Sequence, residues 1–128
     1  MIRPRSGRGD LFDPTCPTRQ LLDRVGSKWS TMAVLTMSAE SASELRFSEL
    51  KRRMCGVSQK MLTQTLRSLE RDGVVSRRVQ PTSPPQVHYS LTERGMSLAE
   101  PLSILREWAE THMPEVTASG RAWDSELV

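Results

Sequence analysis

Apolar positions recur at helical spacing through most of the chain, and turn residues punctuate them. Leu21, Leu22 and Val25 give an apolar side to a first segment that opens at Cys16-Pro17 and closes at Gly26. Proline suits a first helical turn, where its missing N–H would have no intrahelical partner. A second helix is predicted from about Ser27 to Ala39. Trp29, Met32, Ala33 and Thr36 share one face of it, and Val34, Leu35 and Met37 widen the stripe, the pattern of a mostly buried central helix. Ser38 to Glu44 is small and polar and predicts a loop. Phe47, Leu50 and Met54, at i, i+3 and i+7, predict a short helix from Arg46 or Phe47 to Met54. Cys55-Gly56-Val57-Ser58 then reads as a turn. Ser58 is a good N-cap for a further helix to about Arg71, with Leu62, Leu66 and Leu69 on its inner side. Asp72-Gly73 ends it, glycine being the usual left-handed stop.

The period then changes. Val74 to Val79 alternates loosely and Val87 to Leu91 more clearly, which predicts two strands. Gln80 to Gln86 holds three prolines and makes a stiff hairpin tip. Thr92 caps a final helix, with Glu93 favourable in its first turn. Leu98, Leu102, Leu105 and Ala109 form its apolar stripe with Trp108 beside it. Pro101 is expected to kink this helix or to mark its true start. Residues 1–15 lack periodicity and read as a flexible arm, 16–114 as one domain, and 115–128 as a polar tail. The expected class is therefore mainly α with a small β-hairpin (α+β): a helix-turn-helix followed by a hairpin wing.

Composition narrows the function. No apolar run approaches the roughly 18 residues of a membrane-spanning helix, and no apolar stretch follows the basic N-terminus as a secretory signal requires. Two cysteines make no disulfide scaffold, so the expected compartment is a reducing cytoplasm. No Cys/His spacing predicts zinc, and no phosphate loop or nucleophile–base motif is present, so neither cofactor nor enzymatic activity is expected. The hydrophobic fraction of 37% is thin for a globular domain. Subunit association would supply the missing burial.

Charge is modest in total, +3, but unevenly placed. Residues 46–80 carry nine Lys or Arg against three acidic residues, a local +6, while the remainder is −3. The basic segment coincides with the helix-turn-helix. On its second helix the side opposite the leucines presents Gln59, Lys60, Thr63, Gln64 and Arg67, behind the Ser58 cap, with no carboxylate expected on that face. Gln pairs bidentately with adenine and Arg with guanine, while Thr offers a hydroxyl and a methyl. Lys60 and Lys51 suit phosphates. On the wing, Arg77 and Arg78 point to opposite faces, so at most one is aimed straight at a duplex. A solvated helix face is the plain alternative reading of these side chains. A winged-helix protein–protein interaction module is the alternative for the whole unit.

With these residues in place, the chain resembles the HxlR-type winged-helix transcriptional regulators, relatives of the MarR group. The resemblance rests on Cys16-Pro17, on Gly26-Ser27-Lys28-Trp29, and on Arg46 to Leu50. It also rests on the long block Ser58 to Gly73, on Pro84 to Thr92, and on Glu107-Trp108. It implies a bacterial cytoplasmic, nucleoid-associated homodimer on pseudo-palindromic promoter operators of double-stranded DNA. It also implies a dimer interface from the N-terminal region and the last helix, for which Leu21, Leu98, Leu102, Leu105 and Trp108 are the candidates. Proline inside the last helix is usual for the family. The cysteine matching Cys16 senses oxidants or small electrophiles in some members. A thiol just before a helix start gains from the helix dipole, and Arg19 adds positive charge one turn on. The alternative is a cysteine packed in the dimer interface. Cys55 reads as a small buried turn residue, and the family fold separates it from Cys16 within one subunit. Trp29 and Trp108 read as core or interface, and His88 as an exposed wing residue.

Overall fold

The computed structural model describes residues 8–39 and 44–126. The elements are α1 (Thr18–Val25), α2 (Lys28–Ser38), β1 (Leu45–Arg46), α3 (Phe47–Arg53), α4 (Gln59–Arg71), β2 (Val75–Gln80), β3 (Gln86–Leu91) and α5 (Glu93–Glu126). The loop expected after α2 lies largely outside the described residues.

Local chemistry accounts for most boundaries. Ser27 caps α2 by accepting from the Ser30 N–H at 3.3 Å, and Ser58 caps α4 by accepting from the Met61 N–H at 3.0 Å. Each side chain satisfies one of the donors that a helix start leaves unpaired. Gly56, in the turn between α3 and α4, has φ +91°, and Gly73, past α4, has φ +74°. Side chains avoid that left-handed region, which is why glycine stands at both places. Thr92 accepts from the Gly95 N–H at 3.1 Å while its hydroxyl reaches the Gly73 and Val74 carbonyls. One threonine thus caps α5 and ties it to the end of α4.

The sheet holds three strands, not two, in the order β1-β3-β2, all antiparallel. Leu45 and Arg46 pair with Tyr89 and His88, which makes β3 the central strand. His88 is accordingly half-buried and bonds to Gln80 at 3.2 Å, in place of the exposed wing position expected of it.

The core gathers Leu50 and Met54 of α3, Leu62, Leu66 and Leu69 of α4, Ala33, Val34 and Met37 of α2, and Ala99 and Leu102 of α5. The buried side of α2 is Ser30, Ala33, Val34 and Met37, whereas Trp29, Met32 and Thr36 sit half-buried at its flank. The predicted stripe is therefore rotated: α2 packs on α4 and α5 through its smaller residues. On α5 the buried residues are Gly95, Ala99 and Leu102. Gly95 meets the Val74 carbonyl so closely that a Cβ would overlap it.

Two further expectations change. α5 passes through Pro101 and Pro114 without ending, so Pro101 is not its start and the boundary drawn at 114 falls inside the helix. Each proline removes one N–H, leaving the Ser97 and Glu110 carbonyls without their helical donor, and both residues are exposed to water. Within the segment expected to be a flexible arm, residues 8–15 form hydrogen-bonded turns. Asp10 and Asp13 organise turns, Asp13 accepting from the Thr15 N–H at 2.9 Å, and Arg19 Nε donates to the Leu11 carbonyl at 2.8 Å. Residues 1–7 of the arm lie outside the described residues.

Candidate nucleic-acid interface

α3, the Gly56 turn and α4 set one helix across another, and the β2–β3 hairpin stands beside α4. Leu62, Leu66 and Leu69 fix the roll of α4 by burial, so its other side must face water. Gln59, Lys60, Gln64 and Arg67 are exposed there, and Thr63 is half-buried with its hydroxyl donating to the Gln59 carbonyl at 2.8 Å. The Thr63 hydroxyl hydrogen is thus committed within the helix, which leaves its methyl as the contact surface. Ser58 is committed to its cap.

One carboxylate shares that face, contrary to the sequence reading. Glu70 lines a notch of about 280 Å³ together with Thr63, Arg67, Arg77 and Tyr89. Positions 63, 67 and 70 lie i, i+4 and i+7 apart, so they must stack on one side of a helix. That spacing was available in the sequence.

The two wing arginines part company. Arg77 pairs across the strands with Tyr89, and Arg78 with His88. Alternation therefore puts Arg77 on the side of the sheet that meets α4 and Arg78 on the other. There Arg78 makes a two-pronged ion pair with Glu44, Nε and one Nη each at 2.9 Å. The guanidinium holds the Glu44 carboxyl below its usual range, and the carboxylate holds the Arg78 guanidinium above its own. Lys51 on α3 is exposed, while Arg52 pairs with Glu49 at 2.8 Å. Among the described residues, Lys51, Lys60, Arg67, Arg71 and Arg77 are exposed and form no ion pair.

Cys16 stands just before α1, half-buried. Its sulfur receives the Asp10 N–H at 3.3 Å and lies 3.2 Å from the Thr18 hydroxyl. These contacts, with the Thr18 hydroxyl foremost and the Thr18 and Asp10 N–H groups behind it, pull the thiol below its usual range; desolvation and then Asp13 oppose them. Arg19, expected to add positive charge here, is not among the causes; its Nε donates to the Leu11 carbonyl. Cys55 is exposed rather than buried, and both cysteines are free thiols.

The candidate interface residues divide. Leu102 is 7% exposed within its own chain, and Leu98 packs against the same core, so Leu102 is a core residue unavailable to a partner. It faces inward because it follows Gly95 and Ala99 on the side of α5 that meets α2. Leu21, Leu105 and Trp108 are exposed, the last with its ring stacked on His112 at 4.5 Å. Two apolar grooves flank α5. One of about 720 Å³ lies against α1, with Leu21, Leu22 and Leu98. The other, of about 670 Å³, lies against α2, with Met32, Leu35 and Leu105.

A family model described as HxlR-like helix-turn-helix matches residues 24–117. The chain is 44% identical over 110 residues to the uncharacterised HTH-type transcriptional regulator YtfH of Escherichia coli, covering 86% of this chain and 85% of that one. Among solved structures it superposes on the putative transcriptional regulator ytfH from Salmonella typhimurium. There the TM-score is 0.82 at 38% identity, covering 89% of this chain and 99% of that one. The redox regulator HypR in its oxidised form matches with a TM-score of 0.65 at 40% identity, covering 75% and 96%.

Proposed function

The chain belongs to the HxlR-like helix-turn-helix family of transcriptional regulators, and on that premise we propose that it acts as a homodimer on pseudo-palindromic operators in the cytoplasm. The observation that carries the reading is the outer side of α4. Its polar and basic residues are exposed beside the wing, while its leucines are locked in the core. A helix so mounted presents side chains to base edges in a major groove, with Gln59, Thr63 and Gln64 as readers and Lys60 and Lys51 on phosphates. No helix among the described residues is long and apolar enough to cross a membrane.

A second copy is the natural cover for the exposed apolar residues of α1 and α5. Two reading helices related by a two-fold would then sit about 34 Å apart, one DNA turn. Selection of bound sequences from random duplexes tests the reading. An inverted repeat at that spacing supports it, and Gln64→Ala should relax one position of the repeat. Failure to be retained on DNA even at low salt would instead favour a protein-binding module.

The same proposal includes a response through Cys16. The polarised thiol and the likeness to a redox regulator support it. A small electrophile would add to the thiolate sulfur, or an oxidant would withdraw two electrons from it. Cys16→Ser that loses DNA affinity on diamide or quinone treatment as the wild type does would reject this part alone.

A further inference from the structure

The notch between α4 and the wing has a composition that the base-reading role leaves unused. Arg67 comes to it from α4 and Arg77 from β2, with Tyr89 and the Thr63 side chain as its remaining walls apart from Glu70. Two guanidiniums from different elements converge on one recess of about 280 Å³, and neither is ion-paired among the described residues. Glu70 offsets one of the two cations, so the recess keeps a net positive charge that an incoming anion would complement. Guanidinium forks suit the two free oxygens of a phosphodiester. The position is also apt. When a helix enters the major groove, the strand backbone bordering that groove passes between the helix and the adjacent wing.

We propose that this notch seats one backbone phosphate of the bound duplex, shared by Arg67 and Arg77, and that Arg78 takes no part. The inference rests on the DNA-binding reading above and moves Arg67 from base edge to backbone. Arg78 is excluded by geometry twice over: it lies on the opposite side of the sheet, and Glu44 holds both prongs of its guanidinium. Glu70 at the notch works against the phosphate.

The test is the salt dependence of binding to a labelled duplex of mixed sequence, measured by fluorescence anisotropy on the full chain. Each phosphate neutralised contributes about 0.9 to the slope of log K against log salt. Arg67→Ala and Arg77→Ala should each lower affinity, and each should reduce the slope by up to about one unit. Because they share one phosphate, the double variant should lose no more slope than about one unit in total. Arg77→Lys should keep the slope, Arg78→Ala should leave it unchanged, and Glu70→Gln should raise affinity. All the substituted side chains are exposed, and unchanged thermal unfolding would confirm that the variants fold.

Several results would overturn the seat while leaving DNA binding intact. These are an Arg78→Ala loss equal to that of Arg77→Ala, additive slope losses in the double variant, or no effect at Arg77. Inorganic phosphate that displaces the duplex beyond what chloride does at equal ionic strength would mark the notch as a free-anion site and overturn its assignment to the duplex. A wild-type chain with no salt-dependent duplex binding would overturn the DNA reading itself and the seat with it.

Discussion

Leu62, Leu66 and Leu69 on α4 are at most 1% exposed, whereas Ile104, Leu105 and Trp108 on α5 are 67, 56 and 56% exposed. Both sets are large apolar side chains at helical spacing, and the sequence pattern alone does not separate them. What separates them is the surrounding chain. α4 is enclosed by α2, α3 and the sheet, while no described residue of α5 beyond Leu102 is buried, Leu105 and Ala109 only lining an open groove beside α2. The first set stabilises the fold of one subunit. The second gains by burial only when another molecule covers it, at roughly 25 cal/mol per Å² of apolar surface. The contrast locates stability in the helix-turn-helix unit and leaves the outer helix as the surface that the proposed second copy would cover.

Leu66→Ala should break the enclosed region most severely. It opens a cavity in a filled core and should cost about 2–5 kcal/mol in urea unfolding. Leu105→Asp sharpens the contrast from the other side. It should leave the helix content of the chain at low concentration unchanged and shift sedimentation towards the monomer. A Leu105→Asp chain that fails to fold when dilute would show that α5 is buried at that point within one subunit. Gly95→Ala probes the seam between the two regions, where an added Cβ overlaps the Val74 carbonyl. It should cost about 1–3 kcal/mol by thermal or urea unfolding. Ser58→Ala removes only a cap and should cost about 1 kcal/mol.

The smallest effect concerns Cys16, which touches neither core nor outer helix. The alkylation rate should rise with pH at a lower midpoint in the folded chain than in the urea-unfolded one, because the Thr18 and Asp10 contacts favour thiolate. The sign for stability follows: a thiol depressed on folding adds stability that is fully present above its unfolded midpoint and fades as pH falls through the folded one. Thr18→Val should move the folded midpoint upward. An unmoved midpoint would show that the hydroxyl does not polarise the sulfur.

Much of the reading unit was legible in the sequence because its signals are local. Ser58, the leucines at 62, 66 and 69, and Gly73 each sit within a few residues of what they determine. The parts that were not legible depend on distant partners. β1 is two residues long and exists only by pairing with Tyr89 and His88, so no periodicity announces it. Alternation sets Arg77 and Arg78 on opposite faces without saying which one meets a duplex, and what occupies Arg78 depends on Glu44, 34 positions earlier. Pro101 carries a local signal to kink or to start the helix, yet α5 runs through it and through Pro114, the carbonyl freed by each lying at a water-facing turn. Leu98, Leu102 and Leu105 look alike along the stripe, and only the placement of α2 divides core from surface.

The length of α5 has a consequence for motion. At about 1.5 Å per residue, the portion from Ser103 to Glu126 extends roughly 36 Å with its side chains largely exposed. Its amides are shielded mainly by its own turns, and helices in proteins draw most of their stability from a packed apolar face, which this stretch largely lacks. Amide hydrogen exchange along it should therefore quicken progressively towards Glu126 when the chain is dilute, and slow together as a block when a second copy docks. This one rod would report, amide by amide, whether its owner is alone.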